Sequence, residues 1–154
     1  MVSCYQGEAF LLMKVSDVMS NQVICIHPGE PVTAAARLLK SSNVGALPVC
    51  DGERRLRGIV TDRDIVLRCV AAGADPAHVT VGEIMSRGVL TTEPLEDVSQ
   101  AAQQMSREQV RRLPVLNSGR LVGFLSLCDL ARDGNCDMEA ASALSDISSG
   151  SRRS

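Results

Sequence analysis

One internal repeat constrains the fold of this chain more than any other feature of its sequence. Residues 15–20, Val-Ser-Asp-Val-Met-Ser, return at positions 81–86 as Val-Gly-Glu-Ile-Met-Ser. The match continues at the same spacing through a Leu-Pro-Val triplet at residues 47–49 and again at 113–115. The second copy then lacks one residue in a turn, and beyond that gap Asp64 matches Asp129. The chain therefore encodes two copies of one structural unit, which we expect to pack as a pseudo-symmetric pair.

Each copy carries three short segments with the composition of β-strands. A β-branched run opens the copy, and two further apolar runs flank a turn. Pro48 and Pro114 interrupt two of these runs, and because proline has no N–H to donate, they predict edge strands or strand starts. The predicted strands are residues 23–26, 46–50 and 56–60 in the first copy and 89–92, 113–116 and 121–125 in the second.

Two helices are expected in each copy, which makes each one a β-α-β-β-α unit of an α/β protein. The first helix has acidic residues in its expected first turn, Glu30 in one copy and Glu96 and Asp97 in the other, where the helix dipole favours them. The second helix begins near Asp62 and ends at Gly73, which adopts a left-handed cap without strain. Its counterpart in the second copy begins near Leu127. The apolar positions of the first helix are Val32, Ala35, Ala36 and Leu39, and in the second copy Val98, Ala101, Ala102 and Met105.

The composition favours a small cytoplasmic protein with an aliphatic core. Hydrophobic residues make up 45% of the chain, and there is no Trp. The net charge of −2 argues against binding to a nucleic-acid backbone, and no apolar run is long enough to span a membrane. The six cysteines are scattered without a C-x-x-C pair, which favours reduced thiols and no metal site. The predicted division is a flexible N-terminal extension at residues 1–12, repeats at 13–76 and 77–133, and a short helix (138–147) with a disordered tail within 134–154.

A hydroxyl residue and a carboxylate stand three residues apart in each copy, where a strand runs into a helix. They are Thr61 and Asp64 in the first copy and Ser126 and Asp129 in the second. This spacing fits a capping box, in which the two side chains accept free N–H groups at the start of the helix. The same groups also suit a nucleotide, because helix-start amides and a hydroxyl hold phosphate while a carboxylate accepts hydrogen bonds from ribose. The residues alone leave both interpretations open.

The order of these motifs resembles the tandem cystathionine β-synthase (CBS) domain pair, or Bateman module, of the stand-alone prokaryotic type. Each copy has a Met-Ser pair, an Ala-rich helix, a Leu-Pro-Val strand and then Gly-x-x-Thr/Ser-x-x-Asp. The resemblance covers residues 15–132, nearly the whole chain apart from its ends. It implies a disc-like pair of repeats with two quasi-equivalent clefts, commonly dimerised again into a flat assembly.

The resemblance also implies which residues bind a ligand. In each copy the Asp of Thr/Ser-x-x-Asp matches the family's ribose-binding carboxylate, and the hydroxyl residue matches its phosphate side. Arg112 matches a position that often contacts phosphate, or else it is a solvated surface charge. The first copy has Ala46 there, so we expect the two clefts to differ in affinity. The family usually holds the base with backbone and apolar side chains of the other repeat. The residues inferred to do so are Ser20, Ile24, Val44, Gly45 and Ala46 for one cleft and Ser86, Leu90, Val110 and Arg111 for the other.

The resemblance predicts a regulatory module that senses an adenosine-containing ligand, with no obligatory cofactor. The candidate ligands are AMP, ADP, ATP, S-adenosylmethionine and NAD. No catalytic motif is recognisable, so we expect a binding protein and not an enzyme. Its expected partners are a second copy of the chain and an unidentified protein target. The alternative is a structural dimerisation or scaffold module without an obligatory ligand, or a variant of it in which Cys69 or Cys128 acts as a redox switch.

Overall fold

The computed structural model describes residues 13–132 and Ile147, and these form two compact units. We name each unit by the hydroxyl residue of its candidate site. The Thr61 unit comprises Ile24–Val89 and Ser118–Leu121. The described part of the Ser126 unit comprises residues 13–23, 90–117 and 122–132, together with Ile147. The mixture of helices with two small antiparallel sheets confirms the predicted α/β class.

The Thr61 unit packs helices against one two-stranded sheet. Its core is aliphatic and combines residues of every element, among them Val32, Val60 and Val81, each fully buried. The sulfur of Cys69 is also buried in this core. The elements are α2 (Val32–Ser42), β1 (Ala46–Cys50), β2 (Leu56–Thr61), α3 (Asp62–Ile65), which continues as a π-helical turn (Val66–Val70), and α4 (Val81–Ile84).

The Ser126 unit repeats this architecture with different residues. Its core joins Val15, Met105 and Leu130, which are fully buried, and it also includes Ile147. The rest of the helix predicted at residues 138–147, the predicted N-terminal extension and the predicted tail lie outside the described residues. The elements are α1 (Val15–Val18), α5 (Val98–Glu108), β3 (Arg112–Asn117), β4 (Arg120–Ser126) and α6 (Leu127–Arg132).

The two hairpins lie where the sequence predicts them, and their prolines explain one detail of the pairing. In the β1–β2 pair, Pro48 lies opposite Ile59. The carbonyl oxygen of Pro48 faces away from β2 and accepts the N–H of Ile26 at 3.0 Å. Because the N–H and C=O of one strand residue point to the same side, the missing proline N–H removes no hydrogen bond to β2. Pro114 does the same in β3, where its oxygen accepts the N–H of Thr92 at 3.0 Å.

The opening strands predicted at residues 23–26 and 89–92 do not form as continuous strands. Each is reduced to one bridge, Ile26 with Val49 and Thr92 with Val115, both parallel. Ile26 still belongs to the core of the Thr61 unit, and Leu90 packs against the core of the Ser126 unit, as the apolar pattern of these segments indicates. The neighbouring residues make no ladder hydrogen bonds to β1 or β3 among those described, and a continuous strand does not form.

The helix starts and the second helix also differ in detail from the expectation. Glu30 and Glu96 precede their helices, and Asp97 is an N-cap whose carboxylate accepts the N–H of Ser99 at 2.9 Å. The predicted acidic first turns are therefore wrong by one or more residues. The helix from Asp62 begins and turns as expected, with Gly73 in the left-handed region at φ 72°, but its second half is π-helical.

The short helix at the start of each repeat copy packs in the unit of the other copy's hairpin. Helix α1 belongs to the Ser126 unit, whereas α4 belongs to the Thr61 unit. The residues that follow α4 pass over Gly58 of β2, and those that follow α1 pass over Gly123 of β4. A Cβ atom at Gly58 would lie 2.6 Å from the carbonyl oxygen of Ser86, and one at Gly123 would lie 2.9 Å from that of Ser20. Glycine is required at both points because the backbones approach so closely.

Candidate functional site

The candidate site of the Thr61 unit is the junction of β2 and α3. The N–H of Thr61 donates to Asp64 Oδ2 at 3.0 Å, and the N–H of Asp64 donates to Thr61 Oγ1 at 3.0 Å. The two residues therefore form a reciprocal capping box. The backbone is extended at Thr61 and helical from Asp62 onward, which directs the hydroxyl back over the first turn.

The Ser126 unit builds the same arrangement at the junction of β4 and α6. The N–H of Ser126 donates to Asp129 Oδ2 at 2.9 Å, and the N–H of Asp129 donates to Ser126 Oγ at 3.1 Å. The capping interpretation of the sequence is thus confirmed in both copies. Capping leaves one oxygen of the Asp129 carboxylate unused, because no hydrogen bond among the described residues involves Asp129 Oδ1.

The start of a neighbouring strand lies beside each helix start. The N–H of Asp62 donates to the carbonyl oxygen of Gly45 at 3.1 Å, just before β1 begins. The N–H of Leu127 donates to the carbonyl oxygen of Arg111 at 3.1 Å, just before β3 begins. Two of the residues inferred from the family resemblance are therefore held next to the hydroxyl and carboxylate by backbone hydrogen bonds, which are insensitive to side-chain identity.

Asp64 has a cationic neighbour that the sequence analysis missed. Its side chain is 12% exposed, and Asp64 Oδ1 lies 3.8 Å from Arg68 Nε. Arg68 Nη1 also donates to the carbonyl oxygens of Ile84 and Met85, at 3.0 and 3.3 Å. These bonds hold the guanidinium in place beside the carboxylate. The i to i+4 spacing of Asp64 and Arg68 was visible in the sequence, and it is the signal that identifies this pair.

Each unit collects one full set of the predicted site residues. The sequence analysis grouped Ser20 with the first copy and Ser86 with the second, and the structure has them in the opposite units. Ser86 exchanges two backbone hydrogen bonds with Ile59, at 2.8 and 3.0 Å, and Ser20 does so with Phe124, at 2.9 and 3.0 Å. The Thr61 unit holds Ile24, Val44, Gly45, Ala46, Thr61, Asp64 and Ser86, and the Ser126 unit holds Ser20, Leu90, Val110, Arg111, Arg112, Ser126 and Asp129.

The charges around the two sites differ. In the Ser126 unit, Arg111 and Arg112 are both exposed at the start of β3. In the Thr61 unit, the matching positions are Gly45 and Ala46, and the first helical residue is the exposed Asp62. The strand start beside the Ser126 site is therefore cationic and the one beside the Thr61 site is not, whereas the Thr61 site has Arg68 next to Asp64.

Neither site coincides with the described open pocket or with a metal-binding cluster. A pocket of about 550 Å³ lies on the Thr61 unit, beside Pro28, Arg57 and Glu83. None of its lining residues is a candidate site residue, although Met85 and Arg87 flank Ser86 in sequence. Within residues 13–132 and Ile147, no three His, Cys, Asp or Glu side chains come together to hold a metal ion. No helix in this described part is long and apolar enough to cross a membrane.

Two segments of the chain, residues 15–70 and 81–133, match the model of the CBS domain family. The chain belongs to the CBS domain family. The CBS domain-containing protein YhcV of Bacillus subtilis is 39% identical over 137 residues, which are 89% of this chain and 96% of that protein. The repeat found in the sequence is thus a tandem pair of CBS domains, as its motifs indicated.

Many solved structures have a similar fold, among them the following two. A crystal structure of Hypoxic Response Protein I with two coordinated zinc ions is 37% identical, with a TM-score of 0.73, and the match covers 79% of this chain and 98% of that one. The CBS domain pair of protein MJ0100, in complex with 5′-methylthioadenosine and S-adenosyl-L-methionine, is 31% identical, with a TM-score of 0.69. That match covers 79% of this chain and 94% of that one. A CBS domain pair therefore binds adenosine-type ligands in at least one similar protein.

Proposed function

We propose that this chain is a regulatory module that senses an adenosine-containing ligand, with one site at Thr61 and Asp64 and another at Ser126 and Asp129. The observation that carries the proposal is the duplicated hydroxyl–carboxylate pair at the start of a helix. Both copies make the same two reciprocal hydrogen bonds, although their surroundings differ. Two such pairs suit binding because helix capping alone leaves several of their polar groups unused.

The unused groups have the chemistry that ribose and phosphate require. Thr61 Oγ1 accepts an N–H, so its own hydroxyl proton is available to a phosphate oxygen. Asp64 Oδ2 accepts the Thr61 N–H, and Asp64 Oδ1 retains lone pairs for the hydroxyls of ribose. A carboxylate that accepts hydrogen bonds from two vicinal hydroxyls is held by charge-assisted bonds, which are stronger than those between neutral groups.

The two sites differ in the ligand that they favour. Arg111 and Arg112 add positive charge beside Ser126, which favours the phosphorylated ligands AMP, ADP, ATP and NAD. The Thr61 site has Asp62 and no matching arginine at Ala46, and its Arg68 is already paired with Asp64, which favours an uncharged nucleoside or the sulfonium of S-adenosylmethionine. The complex of MJ0100 with methylthioadenosine and S-adenosylmethionine supports ligands of this second type.

The proposal includes self-association through the helix that follows the Thr61 site. Val66, Leu67 and Val70 are 55%, 52% and 60% exposed and lie within its π-helical turn. A second copy of the chain is the occupant that the family resemblance implies for such a face. We expect Leu67→Glu to halve the molar mass measured by light scattering. Unchanged mass in Leu67→Glu and in Val70→Glu would contradict dimerisation through this face.

A thermal-shift screen with the six ligands AMP, ADP, ATP, NAD, S-adenosylmethionine and methylthioadenosine tests the sensing function. A ligand at one hundred times its Kd stabilises the protein by about 2.7 kcal/mol, which raises the Tm by roughly 5–10 °C. The double variant Asp64→Asn with Asp129→Asn should lose this shift, because asparagine keeps a cap acceptor but not the charge that binds ribose.

Asp97→Asn is the matched control for that variant. It makes the same substitution at a helix cap outside both sites and should keep the full shift. If none of the six ligands shifts the Tm of the unmutated protein, the sensing function is wrong and a scaffold without an obligatory ligand replaces it. If the double variant keeps the shift, the ligand binds elsewhere.

A further inference from the structure

Two cysteine thiols that are distant in the sequence meet in the Thr61 unit. Cys25 precedes the residue that bridges to β1, and Cys50 is the last residue of β1. The N–H of Cys50 donates to the carbonyl oxygen of Ile26 at 2.9 Å, which fixes the two backbones beside each other. The side chains of Cys25 and Cys50 are near enough to interact, and both are free thiols.

The two thiols differ in exposure, and this sets the order in which they react. Cys50 is 2% exposed, whereas Cys25 is partly accessible. Burial, together with the neighbouring Cys25 thiol, raises the pKa of Cys50 to about 12. Cys50 is therefore protonated at neutral pH, and Cys25 is the thiol that meets an oxidant first.

We propose that Cys25 and Cys50 are a redox pair that closes reversibly to an intramolecular disulfide. The pair is a modification site of the Thr61 unit, and it does not depend on the proposed ligand binding. Closure ties the segment before α2 to the end of β1, next to Ile24, whose side chain is 47% exposed. The inference concerns neither Cys69, which is buried with its sulfur 3.6 Å from the Ala74 carbonyl oxygen, nor the exposed Cys128.

A small-molecule disulfide such as oxidised glutathione is the oxidant in this proposal. The Cys25 thiolate attacks one sulfur of the oxidant, the disulfide bond of the oxidant breaks, and its second sulfur leaves and takes up a proton. Cys50 then loses its proton and attacks Cys25 Sγ, which releases the second glutathione thiol. The protein gives up two electrons and two protons, and one oxidised glutathione becomes two reduced molecules.

The matching positions in the described part of the Ser126 unit carry no thiols and serve as an internal comparison. The residues that match the two cysteines in the repeat are Thr91 and Leu116. Thr92 makes the same bridge there to Val115, and the N–H of Leu116 donates to the Thr92 carbonyl oxygen at 2.9 Å. The backbone arrangement is thus common to both units, and the thiols are particular to one.

Peptide mapping after treatment with oxidised glutathione tests the proposal on the unmutated chain. Trypsin releases Cys25, Cys50 and Cys128 in three different peptides, residues 15–37, 41–54 and 121–132. The masses of two joined peptides therefore show which cysteines are linked. We expect residues 15–37 joined to 41–54 by a disulfide that dithiothreitol reverses. Cys128 should carry glutathione, which shows that the reagent reached exposed thiols.

Cys25→Ser and Cys128→Ser are the paired variants for this experiment. The first should abolish the cross-link, and the second should leave it intact. The proposal is overturned if Cys128 is modified while Cys25 and Cys50 remain free, or if either of them is joined to a different cysteine.

Discussion

In the Thr61 unit the strand beside the candidate site begins with Ala46, and in the Ser126 unit it begins with Arg112. The capping hydrogen bonds of the two sites are alike, and so is the backbone bond between the strand start and the helix start. The Thr61 site adds the contact of Asp64 with Arg68. The capping box is built largely from backbone N–H groups, so it survives changes in the residues around it. The two sites therefore share the same backbone arrangement and differ in the charged side chains around it.

The comparison extends to the packing beneath each site. Leu38 packs against the core of the Thr61 unit, and its match in the Ser126 unit is Gln104. Gln104 Oε1 is buried and has no hydrogen-bond partner among the described residues. A buried acceptor without a partner keeps its desolvation cost, so the Ser126 unit bears a local destabilisation that the Thr61 unit lacks.

The largest effect on stability should come from adding a methyl group at Gly58 or Gly123. We expect Gly58→Ala to lower the free energy of unfolding by about 3 kcal/mol, because its Cβ would lie 2.6 Å from the Ser86 backbone oxygen. Gly123→Ala should cost less, about 2 kcal/mol, since its nearest contact is the flexible Met19 sulfur. Urea denaturation measures both.

Gly52→Ala is the control for this pair, since no atom lies within 4 Å of the added Cβ. Its free energy of unfolding should stay within about 0.5 kcal/mol of the unmutated value. Equal stabilities of Gly58→Ala and Gly52→Ala would show that the segment after α4 does not lie on β2 as described.

The next effect tests the difference in charge between the sites. Arg112→Ala should weaken AMP binding at the Ser126 site roughly tenfold, or about 1.4 kcal/mol, because it removes a charge-assisted hydrogen bond to phosphate. Methylthioadenosine, which has no phosphate, should bind as before. The reciprocal change Ala46→Arg should strengthen AMP binding at the Thr61 site. Calorimetric titration at low ionic strength measures these affinities, and an equal loss for both ligands would remove Arg112 from the phosphate side.

The smallest effect tests the difference in packing. Gln104→Leu should raise the free energy of unfolding by about 1 kcal/mol, because leucine leaves no buried acceptor and is the residue found at the matching position. Gln103→Leu makes the same substitution one residue earlier, at an exposed position, and should change stability by less than about 0.5 kcal/mol. If the two variants are equally stable, Gln104 finds a partner in solution.

The sequence predicted the local elements well because their signals are local. The hairpins follow from apolar runs around a turn, and the left-handed cap at Gly73 follows from its side-chain freedom. The capping boxes follow from a three-residue spacing that one helical turn brings together. The repeat also identified the family, since it placed these short signals in one order twice.

The sequence did not predict the features that depend on distant residues. Helices α1 and α4 pack in the units opposite to their position in the repeat, and no local pattern at Val15 or Val81 reports this. The same exchange moves Ser20 and Ser86 between the two sets of site residues. Cys25 and Cys50 come together because Ile26 bridges to Val49. The sequence pattern predicted a strand at residues 23–26 but not its partner. The need for glycine at residues 58 and 123 depends on the backbone of Ser86 and Ser20, which packs against them and is distant in sequence.

The most direct test of the account is the stoichiometry of AMP binding by calorimetric titration of the unmutated protein, Asp64→Asn and Asp129→Asn. The account predicts two sites of unequal affinity in the unmutated chain. Asp129→Asn should remove the tighter site, beside Arg111 and Arg112, and Asp64→Asn should remove the weaker one. If both variants bind AMP with the stoichiometry and affinities of the unmutated protein, the duplicated hydroxyl–carboxylate pairs are helix caps and not ligand sites.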